Sequence, residues 1–87
     1  MAVIYKYPLS FDAKTVVPDG QVLHFGYDAY GNLCAWISHP DDIGENKLAL
    51  YIVGTGHQFD DNDISLLSCV DGKFVWHLIM DWQSVDV

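Results

Sequence analysis

Apolar residues in this chain recur mostly at every second position, the period of a half-buried β-strand. In "VIYKY" (3–7), Val3, Tyr5 and Tyr7 alternate with Ile4 and Lys6, and Pro8 closes the run. "QVLHFGY" (21–27) follows the turn signal "PDG" (18–20) and sets Leu23, Phe25 and Tyr27 on one face. The segment "DAYGN" (28–32) reads as a hairpin loop, with Gly31 free to take positive φ. It leads into "LCAWISH" (33–39), where Leu33, Ala35 and Ile37 oppose Cys34, Trp36 and Ser38.

After the polar loop "PDDIGEN" (40–46), the run "KLALYIV" (47–53) sets Leu48, Leu50 and Ile52 against Ala49, Tyr51 and Val53. Near the end, Asp71-Gly72 is a hairpin signal ahead of "KFVWHLIMDW" (73–82). In that run Phe74, Trp76, Leu78, Met80 and Trp82 share one face, and Val75, His77 and Ile79 the other. Helix has room only near 60–68, where an Asp or Asn would serve as N-cap and acids suit the first turn. The alternative reading makes 65–70 wholly strand.

These elements predict a β-rich α+β fold over residues 1–87 as a single small domain. A mainly antiparallel sheet of about five or six strands would carry one short helix near 60–68, because most connections are too short for parallel crossovers. The fourth and last strands are apolar on both faces. Strong curvature of the sheet, a barrel or a homodimer would cover the second face.

Composition sharpens this picture. A hydrophobic fraction of 51% and an aromatic fraction of 14% exclude a disordered chain. No apolar run is long enough to span a membrane, and the start lacks the basic and apolar regions of a secretory signal, so a cytoplasmic location is expected. Cys34 and Cys69 fit as buried thiols. Twelve acids face four lysines with no arginine, and the net charge is -8. A direct nucleic-acid binder needs the opposite sign to displace counterions from phosphates, and an anionic membrane would repel this chain too. A basic protein surface would attract it. Eleven of the acids are Asp, which suits turns and helix starts better than helix interiors.

The stretch "GTGHQFDD" (54–61) invites a phosphate-loop reading, which its own residues oppose. It lacks both the "GxxxxGK[ST]" pattern and a third glycine at dinucleotide-fingerprint spacing. Asp60, Asp61 and Asp63 would repel an anion from the helix start. Gly54 and Gly56 serve a sharp turn out of the fourth strand. The aspartates lack the ligand alternation of a calcium loop, and His24, His39, His57 and His77 form no zinc spacing with the cysteines. No cofactor and no metal are therefore expected, and no catalytic residue is assigned. A metal-dependent or cysteine enzyme, with Cys34 as nucleophile, is the least favoured reading.

The candidate partner-binding residues are the carboxylates Asp41, Asp42 and Glu45 in one loop and Asp60, Asp61 and Asp63 in another. Asp71, Asp81 and Asp86 add to them. Two loops at opposite ends of the fourth strand would lie roughly 20 Å apart at ~3.3 Å per residue. Tyr27 and Tyr30, flanking Asp28 at a hairpin tip, are candidate aromatic anchors. Trp36, Tyr51, Trp76 and Trp82 read first as core.

Three segments, "IYKYPL", "IVGTGH" and "FVWHL", resemble a family of short proteins from phages and prophages, a domain of unknown function. The matching residues include Tyr5, Lys6, Tyr7, Pro8, Gly54, Thr55, Gly56, His57, Val75, Trp76 and His77. The resemblance implies a phage origin and the host cell cytoplasm, and it carries no activity to any position. Small acidic phage proteins resemble inhibitors that present carboxylates where a nucleic acid presents phosphates. The expected function is thus a protein-binding inhibitor of a host nucleic-acid-handling or defence protein with a basic surface. The alternative is a structural or accessory phage protein acting as a homodimer.

Overall fold

The computed structural model describes residues 1–42 and 44–81, so the expectations for Trp82 and Asp86 lie outside it. Seven strands form: β1 (Val3–Pro8), β2 (Thr15–Pro18), β3 (Gln21–Tyr27), β4 (Leu33–His39), β5 (Lys47–Gly54), β6 (Ile64–Asp71) and β7 (Phe74–Met80). They make two sheets, ordered β1-β4-β3 and β2-β5-β7-β6, and every neighbouring pair is antiparallel. Both sheets contribute to one core. Phe25, Leu33, Ala35 and Ile37 meet Val17, Leu48, Leu50 and Leu78. A smallest dimension of 17 Å fits two sheets stacked ~10 Å apart.

The α+β expectation is overturned: the fold is all-β, with no helix among the described residues. Residues 60–63 form a tight turn instead of a helix start. Asp63 N–H donates to Asp60 C=O at 3.0 Å, and Asn62 N–H donates to the Asp60 side chain at 2.9 Å. The Asp60 carboxylate thus closes an Asx turn, the local alternative to helix capping. The following apolar run then pairs with β7 from Ile64↔Met80 to Asp71↔Phe74, with one register shift between Ser65 and Leu67. Long-range pairing outweighs the weak helical preference of a short segment.

The expected count of five or six strands in one sheet fails for a second reason. Thr15–Pro18 forms a four-residue strand on β5, with Val17 in the core and Val16 outward. Its brevity and terminal proline hide it from an alternation search. The "PDG" turn therefore carries the chain from one sheet to the other. Gly20 is required there: a Cβ would lie 2.5 Å from the Ser38 carbonyl and 2.7 Å from His39 Nδ1.

Most strand faces follow the expected alternation. The exception is β3, where a register shift between Val22 and His24 displaces Leu23. Val22 pairs with Ile37 and packs on the core, while Leu23 is exposed. At the last hairpin Asp71 pairs with Phe74, so the two loop residues are Gly72 (φ 56) and Lys73.

The doubly apolar strands are explained by a crossover. β5 and β6 both run antiparallel to β7 and lie on either side of it. Residues 55–63 connect them across the outer face of the sheet. The turn out of β5 closes with His57 N–H to Gly54 C=O at 3.0 Å, with Gly56 at φ 91. Outer-face side chains hold the crossing at both ends: Thr55 Oγ1 lies 2.8 Å from His77 Nε2, and Tyr51 donates its phenol to Asp63. Ile79 and Ala49 point to that outer face and are nonetheless buried.

Candidate functional site

The crossover brings together carboxylates that are distant in sequence. Asp63 is held by Tyr51, and Asp81, whose N–H donates to Ala49 C=O at 2.9 Å, pairs with Lys14. The Lys14 ammonium also sits 5.5 Å from the centre of the Tyr51 ring. Its pKa is raised, first by the hydrogen bond to Asp81, with Asp63 and Asp60 adding to the attraction. One cation therefore stands among Asp60, Asp63 and Asp81. The Tyr51 phenol is pushed well above its ordinary range, first by burial and then by Asp63.

This placement changes the geometry of the two acidic loops. Asp41, Asp42 and Glu45 are exposed beside the first residue of β5, and Asp41 lies 2.6 Å from the Met1 amino group. The second loop does not stay at the far end of β5. It returns so that Asp63 lies level with Tyr51, about 13 Å from Lys47 at ~3.3 Å per residue. Asp81 falls between the two groups. Asp61 is exposed on the turn and helps line an open depression with His57, Phe59 and Ser65.

A second feature lies where β5 ends. Trp76 is half-buried against the core, and its ring stacks on Phe74 at 5.7 Å and meets Phe11 edge-on at 5.1 Å. Phe11 and Phe74 are more than half exposed. A Cβ at Gly54 would stand 3.3 Å from the His57 ring and 3.4 Å from the Trp76 indole, so both rings lie close over this glycine. Phe11 belongs to residues 9–14, which flank β5 beyond the end of β2. Phe11, Asp12 and Lys14 line one shallow groove with Tyr51 and Ile52. The aromatic group and the acidic group are thus continuous through this segment. Sequence reasoning missed Phe11 and Phe74. Their signal is weak: one is a lone aromatic in a polar loop, the other the first residue of an apolar strand.

The two candidate tyrosines part company. Tyr30 is 86% exposed at the hairpin tip, with Lys6 Nζ 5.9 Å from its ring centre. Tyr27 donates its phenol to Asp71 at 2.7 Å, and Trp76 Nε1 donates to the same oxygen at 3.4 Å. Between them Asp28 organises the hairpin, accepting from Lys6 at 2.8 Å and from the Tyr30 and Asn32 amides at 2.9 Å. These bonds, Lys6 first, hold its carboxyl well below the usual carboxylate range.

His39, His77 and Cys34 are each engaged in local contacts. His39 is fully buried, with Nδ1 2.9 Å from Asp19 C=O and Nε2 2.8 Å from the Tyr7 phenol. The carbonyl can only accept, so Nδ1 carries the proton and Tyr7 donates to Nε2. His77 is spanned by Thr55 and by Ser68, whose hydroxyl lies 2.8 Å from Nδ1. The buried Cys34 thiol has its pKa raised, first by burial and then by Asp28, the reverse of what an activated thiolate requires.

Fold and surface together define a small two-sheet β-sandwich carrying an acidic face with an aromatic end. The chain belongs to the family described as Domain of unknown function (DUF7352), which matches residues 1–86. No curated protein and no solved structure matches the chain.

Proposed function

We propose that this protein is a binding module of phage or prophage origin. In this reading it inhibits a host nucleic-acid-handling or defence protein by covering a basic surface. The observation that carries the reading is the continuity of two groups. Phe11, Phe74 and Trp76 adjoin, through residues 11–14, the carboxylates Asp60, Asp63 and Asp81. Aromatic rings supply desolvated anchors, and surrounding carboxylates steer a basic partner and reject nucleic acid. The net charge of -8 extends that attraction beyond the patch.

The test is capture from host lysate by the wild-type chain and by two variants. One neutralises the exposed acids (Asp41→Asn, Asp42→Asn, Asp61→Asn), and the other is Phe11→Ala. A specific partner should be held at low salt, released as salt rises, and lost or weakened in both variants. A partner retained equally by the neutralised variant, or indifferent to salt, would overturn electrostatic docking.

A further inference from the structure

Lys6 pairs with a single carboxylate, Asp28, whereas Lys14 stands among three. The Lys14 ammonium pairs with Asp81 and lies 5.5 Å from the centre of the Tyr51 ring, while Asp63 and Asp60 add to the attraction. Three carboxylates thus act on one ammonium, and the surroundings carry more negative charge than their occupant offsets. Tyr51 is half-buried on β5 and donates its phenol to Asp63, so ring and carboxylate are held together. An aromatic face rimmed by carboxylates is a receptor for an organic cation.

The occupant of this receptor is weakly held. The Lys14 side chain is 53% exposed, against 17% for Asp81. Such pairs contribute little, because water screens them and a long side chain has to be ordered. Its segment is tied by side-chain bonds: Ser10 N–H donates to Thr15 Oγ1 at 3.3 Å, and Asp12 N–H to Ser10 Oγ at 3.1 Å. Among the described residues, no backbone–backbone bond joins residues 10–14 to a strand. Release of Lys14 therefore breaks no ladder bond, and rotation of its side chain suffices.

We propose that this site takes an arginine side chain from a basic protein, and that Lys14 occupies it in the partner's absence. The inference rests on the binding-module reading above and names the group that the module recognises. In the bound state the guanidinium lies on the Tyr51 ring and donates to Asp81 and Asp63, and Lys14 turns out to solvent. A carboxylate accepts several bonds, so Tyr51 keeps its bond to Asp63. Phe11 and Ile52 line the same groove and give the arginine stem an apolar wall.

Chemistry selects arginine as the incoming group. A guanidinium is flat and stacks on an aromatic ring, donates through several N–H groups at once, and is less strongly hydrated than an ammonium. It therefore gains more from a ring between carboxylates than Lys14 does. The chain contains no arginine, so none of its own side chains makes that fit. Lys14 acts as a built-in competitor that discounts every weaker cation and yields to a guanidinium.

Titration calorimetry of the full chain with an octa-arginine peptide, at about 50 mM salt, tests this. Lys14→Met and Lys47→Met each remove one positive charge, but only the first removes the occupant. Lys14→Met should therefore tighten binding ~3–5-fold more than Lys47→Met does. Saturating the wild-type chain with the peptide should move the Lys14 side-chain NMR signals to those of a solvated lysine. Tyr51→Leu should weaken binding, Tyr51→Phe should keep most of it, and octa-lysine should bind less tightly than octa-arginine. The lysine pair decides the matter even where Tyr51→Leu unfolds the chain. No binding of octa-arginine, equal effects of the two lysine variants, Lys14 signals unmoved at saturation, or octa-lysine binding as tightly would each overturn the exchange. A salt-sensitive host partner captured alongside any of these would leave the docking reading standing without it. Lys14 exchange with no host partner captured would overturn the docking reading alone.

Discussion

Tyr27 and Asp71 join the two sheets: the last residue of β3 donates its phenol, at 2.7 Å, to the last residue of β6. Trp76 shares the acceptor from β7. Tyr27→Phe removes one half-exposed bond to a charged acceptor and keeps the ring, so a loss of about 1 kcal/mol is expected in urea denaturation. Asp71→Ala, which abandons both donors, should cost more than Tyr27→Phe.

Asp28 predicts the acid side of the stability curve. Its carboxyl is held below the ordinary value near 3.8 by Lys6 and the hairpin amides. A depressed folded pKa stabilises the native state above the unfolded value and ceases to do so as pH falls through the folded one. Stability should therefore decline below pH ~4, and part of that decline should vanish in Asp28→Asn. Chemical denaturation of both proteins across acid pH checks the sign. A variant with the wild-type slope would sink the assignment.

Tyrosine predicts the alkaline side. Tyr51, Tyr7 and Tyr27 all have their phenols raised above 10.0, with burial leading for the first two and the Asp71 bond for Tyr27. Folding favours the neutral phenol, so stability should hold up to the unfolded value and fall as pH climbs above ~10. An ultraviolet titration should show these three ionising late, and Tyr51→Phe should flatten the alkaline loss.

Gly20 predicts a steric effect with no surface consequence. An added Cβ would strike the Ser38 carbonyl and the His39 ring. Gly20→Ala should cost on the order of 1–3 kcal/mol by overpacking. Gly31→Ala meets no neighbour within 4 Å and suffers only its φ of 84, so it should cost about 1 kcal/mol. Thermal melts of the pair separate a packing requirement from a backbone one.

The strands that alternate cleanly were legible because burial of one face dictates a two-residue period. Leu33, Ala35 and Ile37 on β4 and Leu48, Leu50 and Ile52 on β5 point as the pattern predicts. Leu23 was misread because a bulge shifts the parity by one residue, and nothing in "QVLHFGY" announces it. The helix near 60–68 failed because Asp60 can close a turn or cap a helix with the same oxygen. Only the distant strand β7 decides between them. The acidic cluster was half legible: Asp60, Asp61 and Asp63 stand together in sequence, whereas Asp81 and Lys14 join them through sheet topology that no local pattern encodes.

The position of β7 also orders events during synthesis. This strand is made after β6, yet it lies between β5 and β6 and, among the described residues, supplies all of β6's ladder partners. Until residues 74–80 leave the ribosome, β6 has no strand to pair with, and the 55–63 segment has no β7 to cross. Nascent chains halted before residue 74 should therefore hold the apolar run of β6 open to chaperones. Completing this sheet means threading β7 into the gap between β5 and β6, the two strands made before it.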